Sequence, residues 1–457
     1  MWSSRGPLLV FATLLLCTAA RADDVSPSNP PNSPDDDEQH HLFANWGGLR
    51  DRLKEWGIKL DLVEQSEVWG DLAGGRRQGA VYDGLTIADV KLNLDKMIGW
   101  TGGWVYASAF NIHGRGPSGN LAGNMQLVSN VEATRDTKLY DLWFAQHLWD
   151  DKLDIRFGQE GANDEMMTSQ YAGLFLNSSF GFPGLPAADL PSGGPNYPMA
   201  TPFARVKVQA SDALTLVGAV FNGDPAPPGT GDPQLRDAGG TAFRLNDHTL
   251  GVGEVWYSVG QGKGELPGTY KLGAWYSSFP FADQRFDTNG VSLASPLSNG
   301  RPLMHSGGYA IYGIVDQMVW QPPDACDGCG IGLFAQVMGA PSRFNLSDLF
   351  VEGGLNWKGV FKGRDNDTLG LGVSYVGISP AAQAFSGDVI AFAGTGTRYA
   401  GNETVIELTY AYKATLWLAL QPDLQYVINP NAGIPTASSP VPLKNALVAG
   451  MHVTVLF

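Results

Sequence analysis

Charged and amide side chains recur at two-residue spacing in short alternating segments of this chain. Examples are Asp154 and Arg156; Arg205, Lys207 and Gln209; Glu254 and Trp256; and Asp423 and Gln425. Glu403 and Glu407, and Lys271 and Trp275, lie four apart in similar segments. In an extended strand, residues two or four apart share a face. These faces carry donors, acceptors and both charge signs beside aromatic rings, which suits recognition better than bond making. No Gly-x-Ser-x-Gly elbow, His-Glu-x-x-His helix or phosphate loop occurs. Gly260-Gln261-Gly262-Lys263-Gly264 lacks Walker spacing. Nothing in the sequence calls for a catalytic set, a cofactor or a metal.

Cys326 and Cys329 stand in Asp-Ala-Cys-Asp-Gly-Cys-Gly. A zinc site would need two more ligands nearby, and a thioredoxin-like site would open a helix in a βαβ unit. The plainer reading is a small disulfide stapling a turn in an oxidising compartment.

The N-terminus supplies that compartment. Arg5, the apolar run Leu8 to Cys17 and Ala20-Arg21-Ala22 match an export signal, with cleavage expected after Ala22. The run is shorter than the roughly 20 apolar residues of a spanning helix. Residues 23–41, rich in Pro, Ser, Asn and Asp, read as a disordered leader. Loss of Arg5 and Arg21 takes the net charge from −15 to −17. That acidity argues against a nucleic-acid partner.

The elements that must position the polar faces are strands. Residues 42–57 have helical spacing (Phe43, Trp46, Leu49, Leu53, Trp56) and are expected to form one amphipathic helix. Alternating segments follow at 59–69, 84–93, 103–112, 137–148, 153–160, 203–209, 214–221, 250–258, 268–279, 309–319, 330–338, 348–357, 368–378, 403–411, 417–427 and 446–457. The last carries Leu447, Ala449, Met451, Val453, Val455 and Phe457 on one face and Gly450, His452 and Thr454 on the other. Links 70–83, 113–136, 161–202, 222–249, 280–308, 379–402 and 428–445 are long, and the links between them are mostly short. Long outer loops and short inner turns are the pattern of an outer-membrane barrel. Trp100, Trp104, Trp149, Trp320, Trp357 and Trp417 fall at the short-turn end, where an interfacial girdle would lie. The expected fold is therefore all-β: a transmembrane antiparallel β-barrel of about 16 strands spanning 58–457, preceded by the short helix.

The chain also resembles a known family. Trp46-Gly47-Gly48-Leu49-Arg50, Ile98-Gly99-Trp100-Thr101-Gly102-Gly103, Phe175-Leu176-Asn177-Ser178-Ser179-Phe180-Gly181, Thr368-Leu369-Gly370-Leu371-Gly372-Val373-Ser374-Tyr375 and Leu420-Gln421-Pro422-Asp423-Leu424-Gln425-Tyr426-Val427-Ile428-Asn429-Pro430 are similar to segments of the OprB-type carbohydrate-selective porins. The resemblance runs from about Leu42 to Phe457. It implies a sixteen-stranded outer-membrane barrel passing glucose-like mono- and oligosaccharides passively. It implies as partners those sugars, outer-membrane lipid and lipopolysaccharide, and the barrel assembly machinery reading the Phe457 strand. Related porins suggest a monomer or a homotrimer. The cysteine turn is not part of the family pattern.

A sugar, polar at its edge and apolar on its ring face, suits charged and amide groups beside aromatic rings. Alternation turns Asp89, Lys91 and Asn93 inward, and Asn111 with His113 and Arg115 continuing above it. The candidate pore-lining residues are Arg115, Arg156, Arg205, Lys207, Glu254, Trp256, Trp275, Glu407 and Asp423. Arg115, Arg156 and Arg205 are singled out because the resemblance implies basic residues at the constriction. The plainer reading is that these groups solvate a wet interior and brace one another. Loop 161–202, with Glu160, Asn163, Asp164, Glu165, Asn177 and Asn196 in or beside it, is the expected inward fold. Alternatives are a general diffusion pore, a barrel enzyme with a rim set near His248 or His305, and a soluble secreted lectin.

Overall fold

The computed structural model describes residues 40–457 except 263, 324, 325, 327 and 437–439. The expected signal peptide, and all but the last two residues of the expected leader, lie outside the described residues. Sixteen strands form one closed barrel in which each pairs with its sequence neighbours and β1 closes on β16. They are β1 Ile58–Gly75, β2 Gly79–Asn93, β3 Gly103–Gly114, β4 Asp136–Leu148, β5 Leu153–Glu160, β6 Thr201–Gln209, β7 Leu214–Asn222 and β8 Thr249–Val259. The second half is β9 Gly268–Asp287, β10 Pro302–Trp320, β11 Gly330–Gly339, β12 Ser347–Lys358, β13 Thr368–Ile378, β14 Asn402–Lys413, β15 Leu418–Ile428 and β16 Lys444–Leu456.

Closure removes every sheet edge, and that is the condition for strands in hydrocarbon, where unpaired main-chain groups find no water. The seam pairs Val63 with Leu456 and Glu67 with His452. The helix Leu49–Glu55 sits under this seam. Its Arg50 guanidinium donates to the Phe457 carbonyl and to the Leu60 carbonyl at 3.3 Å. The Phe43 ring packs on Phe457 at 5.7 Å. The expected helix is thus shorter than 42–57, with a 3-10 turn at Trp46–Gly48 before it.

One expected long link is short. β1 and β2 run on to a hairpin at 76–78, still pairing Gly70 with Ala80 and Asp71 with Gly79. Ala73, Gly74 and Gly75 carry little strand signal of their own, and pairing of Ala73 with Leu447 and of Gly75 with Lys444 on β16 supplies it. The link 280–308 likewise shrinks to 288–301. Trp100, Trp149 and Trp320 are exposed at the short-turn end, while Trp104 turns into the lumen under Lys91. Cys326 and Cys329 form a disulfide in the turn between β10 and β11.

Candidate pore and its constriction

The barrel interior is not an open tube, because two long loops fold into it. The segment 161–200 enters from β5 and crosses the lumen to the far wall. Its Phe175 and Phe180 rings meet Phe334 of β11 at 5.5 and 6.0 Å. Two inward glycines of β13 make this approach possible: a Cβ on Gly370 would stand 2.6 Å from Leu174, and one on Gly372 2.8 Å from Phe180.

Inward polar side chains then bind main-chain groups of the loop that its own short turns and helices leave over. Glu254 of β8 accepts from the Met167 amide at 2.7 Å and from the Tyr312 hydroxyl at 2.6 Å. Asp316 of β10 accepts from the Ser169 hydroxyl and from the amides of Gln170 and Tyr171 at 3.1 and 3.2 Å. Glu407 of β14 accepts from the amides of Leu176 at 2.6 Å and Asn177 at 3.0 Å. Gln421 and Asn356 donate to the carbonyls of Leu174 and Tyr171 at 2.8 and 2.7 Å. At the loop's end Asp189 accepts from Leu346 and Ser347 at 2.7 and 3.2 Å. Burial pushes the Asp189 carboxyl up to about 8.

The segment 115–135 folds in beside it. Glu403 accepts from the amides of Met125 and Gln126 at 2.9 and 2.8 Å. Gln425 donates to the Val128 carbonyl at 2.7 Å and accepts from Asn177 at 3.0 Å, so the two loops share one anchor. Glu132 folds back onto the amides of Ser118 and Gly119 at 3.0 and 3.2 Å, and burial raises it to about 7. Sequence reasoning missed this second insertion. Leu121, Val128 and Val131, all buried, were its signal in an otherwise polar link.

On β5 and β6 the inward cations meet acids of β5 and of the loop. Arg205 is 1% exposed, with Asp154 at 2.6 Å and Glu165 at 2.7 Å. Lys207 reaches Glu165 at 2.7 Å, and Arg156 reaches Glu160 at 2.5 Å. Arg156 and Lys207, with Lys91 of β2 and Lys271 of β9, lie over aromatic faces. Arg156 stands 4.1 Å from the Trp143 ring, Lys91 5.1 Å from Trp104, and Lys207 and Lys271 5.1 and 4.6 Å from Trp256. Lys271 also donates to the Thr168 carbonyl at 2.9 Å.

The structure therefore divides the sequence-derived candidates. Arg156 and Lys207 keep part of their side chains open to the lumen. Arg205, Glu254, Trp256, Trp275, Glu407 and Asp423 are buried against the loops or their neighbours. Arg115 is exposed beyond the outer end of β3, its amide bonded to the Tyr82 carbonyl at 2.7 Å. The inward assignment of Asn111 and His113 is corrected. Asn111 donates to Thr137 and His113 lies by Tyr82, all on the outer face. Phe110 and Ile112 are the inward residues, packed in a cluster with Val131 and Ala200 of the inserted loops. Here the loops present apolar residues to the wall, so the inward face of β3 is apolar and a rule that polar means inward reverses at this place. Asp316, Gln336 and Asn356 are further inward polar residues that alternation alone had not singled out, because their strands also carry apolar inward residues such as Tyr312 and Phe334.

The family described as carbohydrate-selective porin, OprB family, matches residues 77–457. Porin B of Pseudomonas aeruginosa is 26% identical over 471 residues, covering 99% of this chain and 97% of that protein. The protein named putative porin QuiX of Acinetobacter baylyi is 22% identical over 450 residues, covering 92% and 94%. The high-pH structure of Pseudomonas putida OprB superposes with a TM-score of 0.80 at 25% identity, covering 92% of this chain and 99% of that one.

Proposed function

The chain belongs to the OprB family of carbohydrate-selective porins, and from that premise we propose that glucose-like sugars cross this outer-membrane barrel by passive diffusion along one side of its lumen. The supporting observation is the set of cation–aromatic pairs on neighbouring inward faces: Lys91 over Trp104, Arg156 over Trp143, and Lys207 and Lys271 over Trp256. The partly open Trp104 ring offers an apolar surface to a pyranose face, Lys91, Arg156 and Lys207 offer hydrogen bonds to its hydroxyls, and the buried Trp143 and Trp256 rings hold the cations in place. Pore selectivity of this kind comes from aperture, lining groups and fixed charge.

In this reading the named candidates have three roles. Arg156 and Lys207, partly open, touch the solute. Arg205, Glu254, Trp256, Trp275, Glu407 and Asp423 set the aperture by holding the loops and the partly open cations in place. Arg115 contributes charge at the outer mouth.

The test is swelling of liposomes carrying the purified barrel, with a series of sugars and with ions and amino acids of matched size. Faster entry of glucose-sized sugars supports the reading. Entry that follows size alone replaces it with a general diffusion pore.

A further inference from the structure

The outer surface of the barrel has a feature that sugar passage does not use. Gln159, Pro202 and Asn222 stand at outward positions of β5, β6 and β7, yet all three are buried, Gln159 at 1%. They are covered because the 223–248 loop turns down over the outside of the wall. The Leu139 amide donates to the Gly239 carbonyl at 3.0 Å and the Gln159 amide nitrogen to the Gly240 carbonyl at 2.8 Å. Asn222 and Asp247 exchange bonds at 3.0 and 3.1 Å, and Arg244 pairs with Asp247. Gly240, at φ +64°, lies so close to β4 that a Cβ would stand 1.9 Å from the Leu139 carbonyl oxygen. The loop is thus fixed to the wall at several points.

Between loop and wall lies a groove of about 700 Å³. Its floor is Leu142, Phe144, Phe157, Ala204 and Val220, all of which point away from the lumen. Phe243 and Leu245 of the loop rim it, 49% and 84% exposed. Apolar side chains this exposed, on a segment tied down beside the lipid-facing wall, continue that wall rather than face water. The groove lies at the outer end of β4–β7, on the side away from the chain termini.

We propose that this groove holds an acyl chain of lipid A from the outer leaflet, with Phe243 and Leu245 seated among the neighbouring chains. The inference rests on the outer-membrane location and is independent of which solute the pore selects. Continuity with the lipid-facing wall argues for a lipid chain over a soluble ligand, and the position at the loop end of the barrel argues for the outer leaflet.

Native mass spectrometry of the full barrel, released from detergent after incubation with hexa-acylated lipid A or with dioleoylphosphatidylglycerol, tests this. The wild type should retain one lipid A. Val220→Trp, which fills the floor, should lower that occupancy at least tenfold, whereas Leu272→Trp, elsewhere on the lipid-facing wall, should not. Phe243→Ser/Leu245→Ser, on the surface loop, should also lower it, and decides the matter if Val220→Trp fails to fold. Equal retention in all variants, no retained lipid A in the wild type, or retention of phosphatidylglycerol alone overturns the proposal. So does a dimer mass that Leu245→Ser abolishes, since the occupant would then be a second copy.

Discussion

The Glu407 carboxylate accepts the main-chain amide of Asn177 at 3.0 Å, joining β14 to a loop residue 230 positions earlier. With the Leu176 amide on its other oxygen, this one side chain fixes the part of the loop that reaches furthest across the barrel. Glu254 and Asp316 repeat the arrangement along the wall, so the inner surface works as a row of acceptors for an inserted peptide.

Removing such an acceptor should open the pore. Each such hydrogen bond contributes about 0.5–1.5 kcal/mol net, so Glu407→Ala, which removes two, should weaken loop docking by about 1–3 kcal/mol. Single-channel conductance should rise, and trisaccharides should enter liposomes faster than in the wild type. Glu407→Gln, which keeps one acceptor oxygen, should lie between. An unchanged conductance in Glu407→Ala would show that the loop is held without this residue.

The partly open cations should govern the solute. Arg156→Ala and Lys207→Ala each remove a charge from above a ring, an interaction worth about 0.5–1 kcal/mol, and sugar entry should fall roughly two- to fivefold. Reversal potentials in a salt gradient should shift toward cation preference in both variants. Arg205→Ala should act differently. It strands Asp154 and Glu165 without their buried partner, and the expected readout is a lower yield of folded, heat-modifiable barrel.

The loop carboxyls give the pore a pH dependence with a definite sign. Burial raises Asp189 from an ordinary 3.8 to about 8 and Glu132 from 4.5 to about 7. The docked loops therefore hold protons that released loops would lose above their ordinary values. Docking should be tightest below about pH 4 and should weaken as pH rises through about 7 to 8, levelling off above. Conductance in planar bilayers should be higher at pH 9 than at pH 5. Asp189→Asn, which cannot ionise, should reduce that difference, and a flat profile in the wild type would refute the coupling.

The Cys326–Cys329 disulfide closes a ring of four residues in a turn opposite the long loops. A loop that short constrains the unfolded chain by about 2 kcal/mol in the chain-entropy model. The double serine variant should fold, conduct and select as the wild type does, with a small drop in the temperature at which the folded gel band disappears. A changed sugar preference would give the turn a part in transport.

The inserted loops also account for what could be read ahead of the structure. Strand number, the short-turn end and the outward apolar faces were legible because alternation is local: a period of two sets each face whatever lies elsewhere in the chain. The closing strand ending at Phe457 and the placement of Arg156 and Lys207 in the lumen follow from that period. The same logic overextends at Asn111 and His113, where a polar residue does not mark the water side. Phe110 and Ile112 face in because Val131 and Ala200 arrive from distant segments to cover them.

What the sequence by itself determined, then, is the barrel: its strands, their faces and the family to which they belong. Only the tertiary structure decided which inward groups stay wet. Glu254, Glu407 and Asp423 share faces with lumen residues by alternation, yet the loops at 115–135 and 161–200 fold across that wall. Docking of a loop depends on contacts between residues hundreds of positions apart, on the room left by glycines such as Gly370, and on carboxylates that find main-chain amides to accept from. None of those conditions is written in the spacing of a single strand.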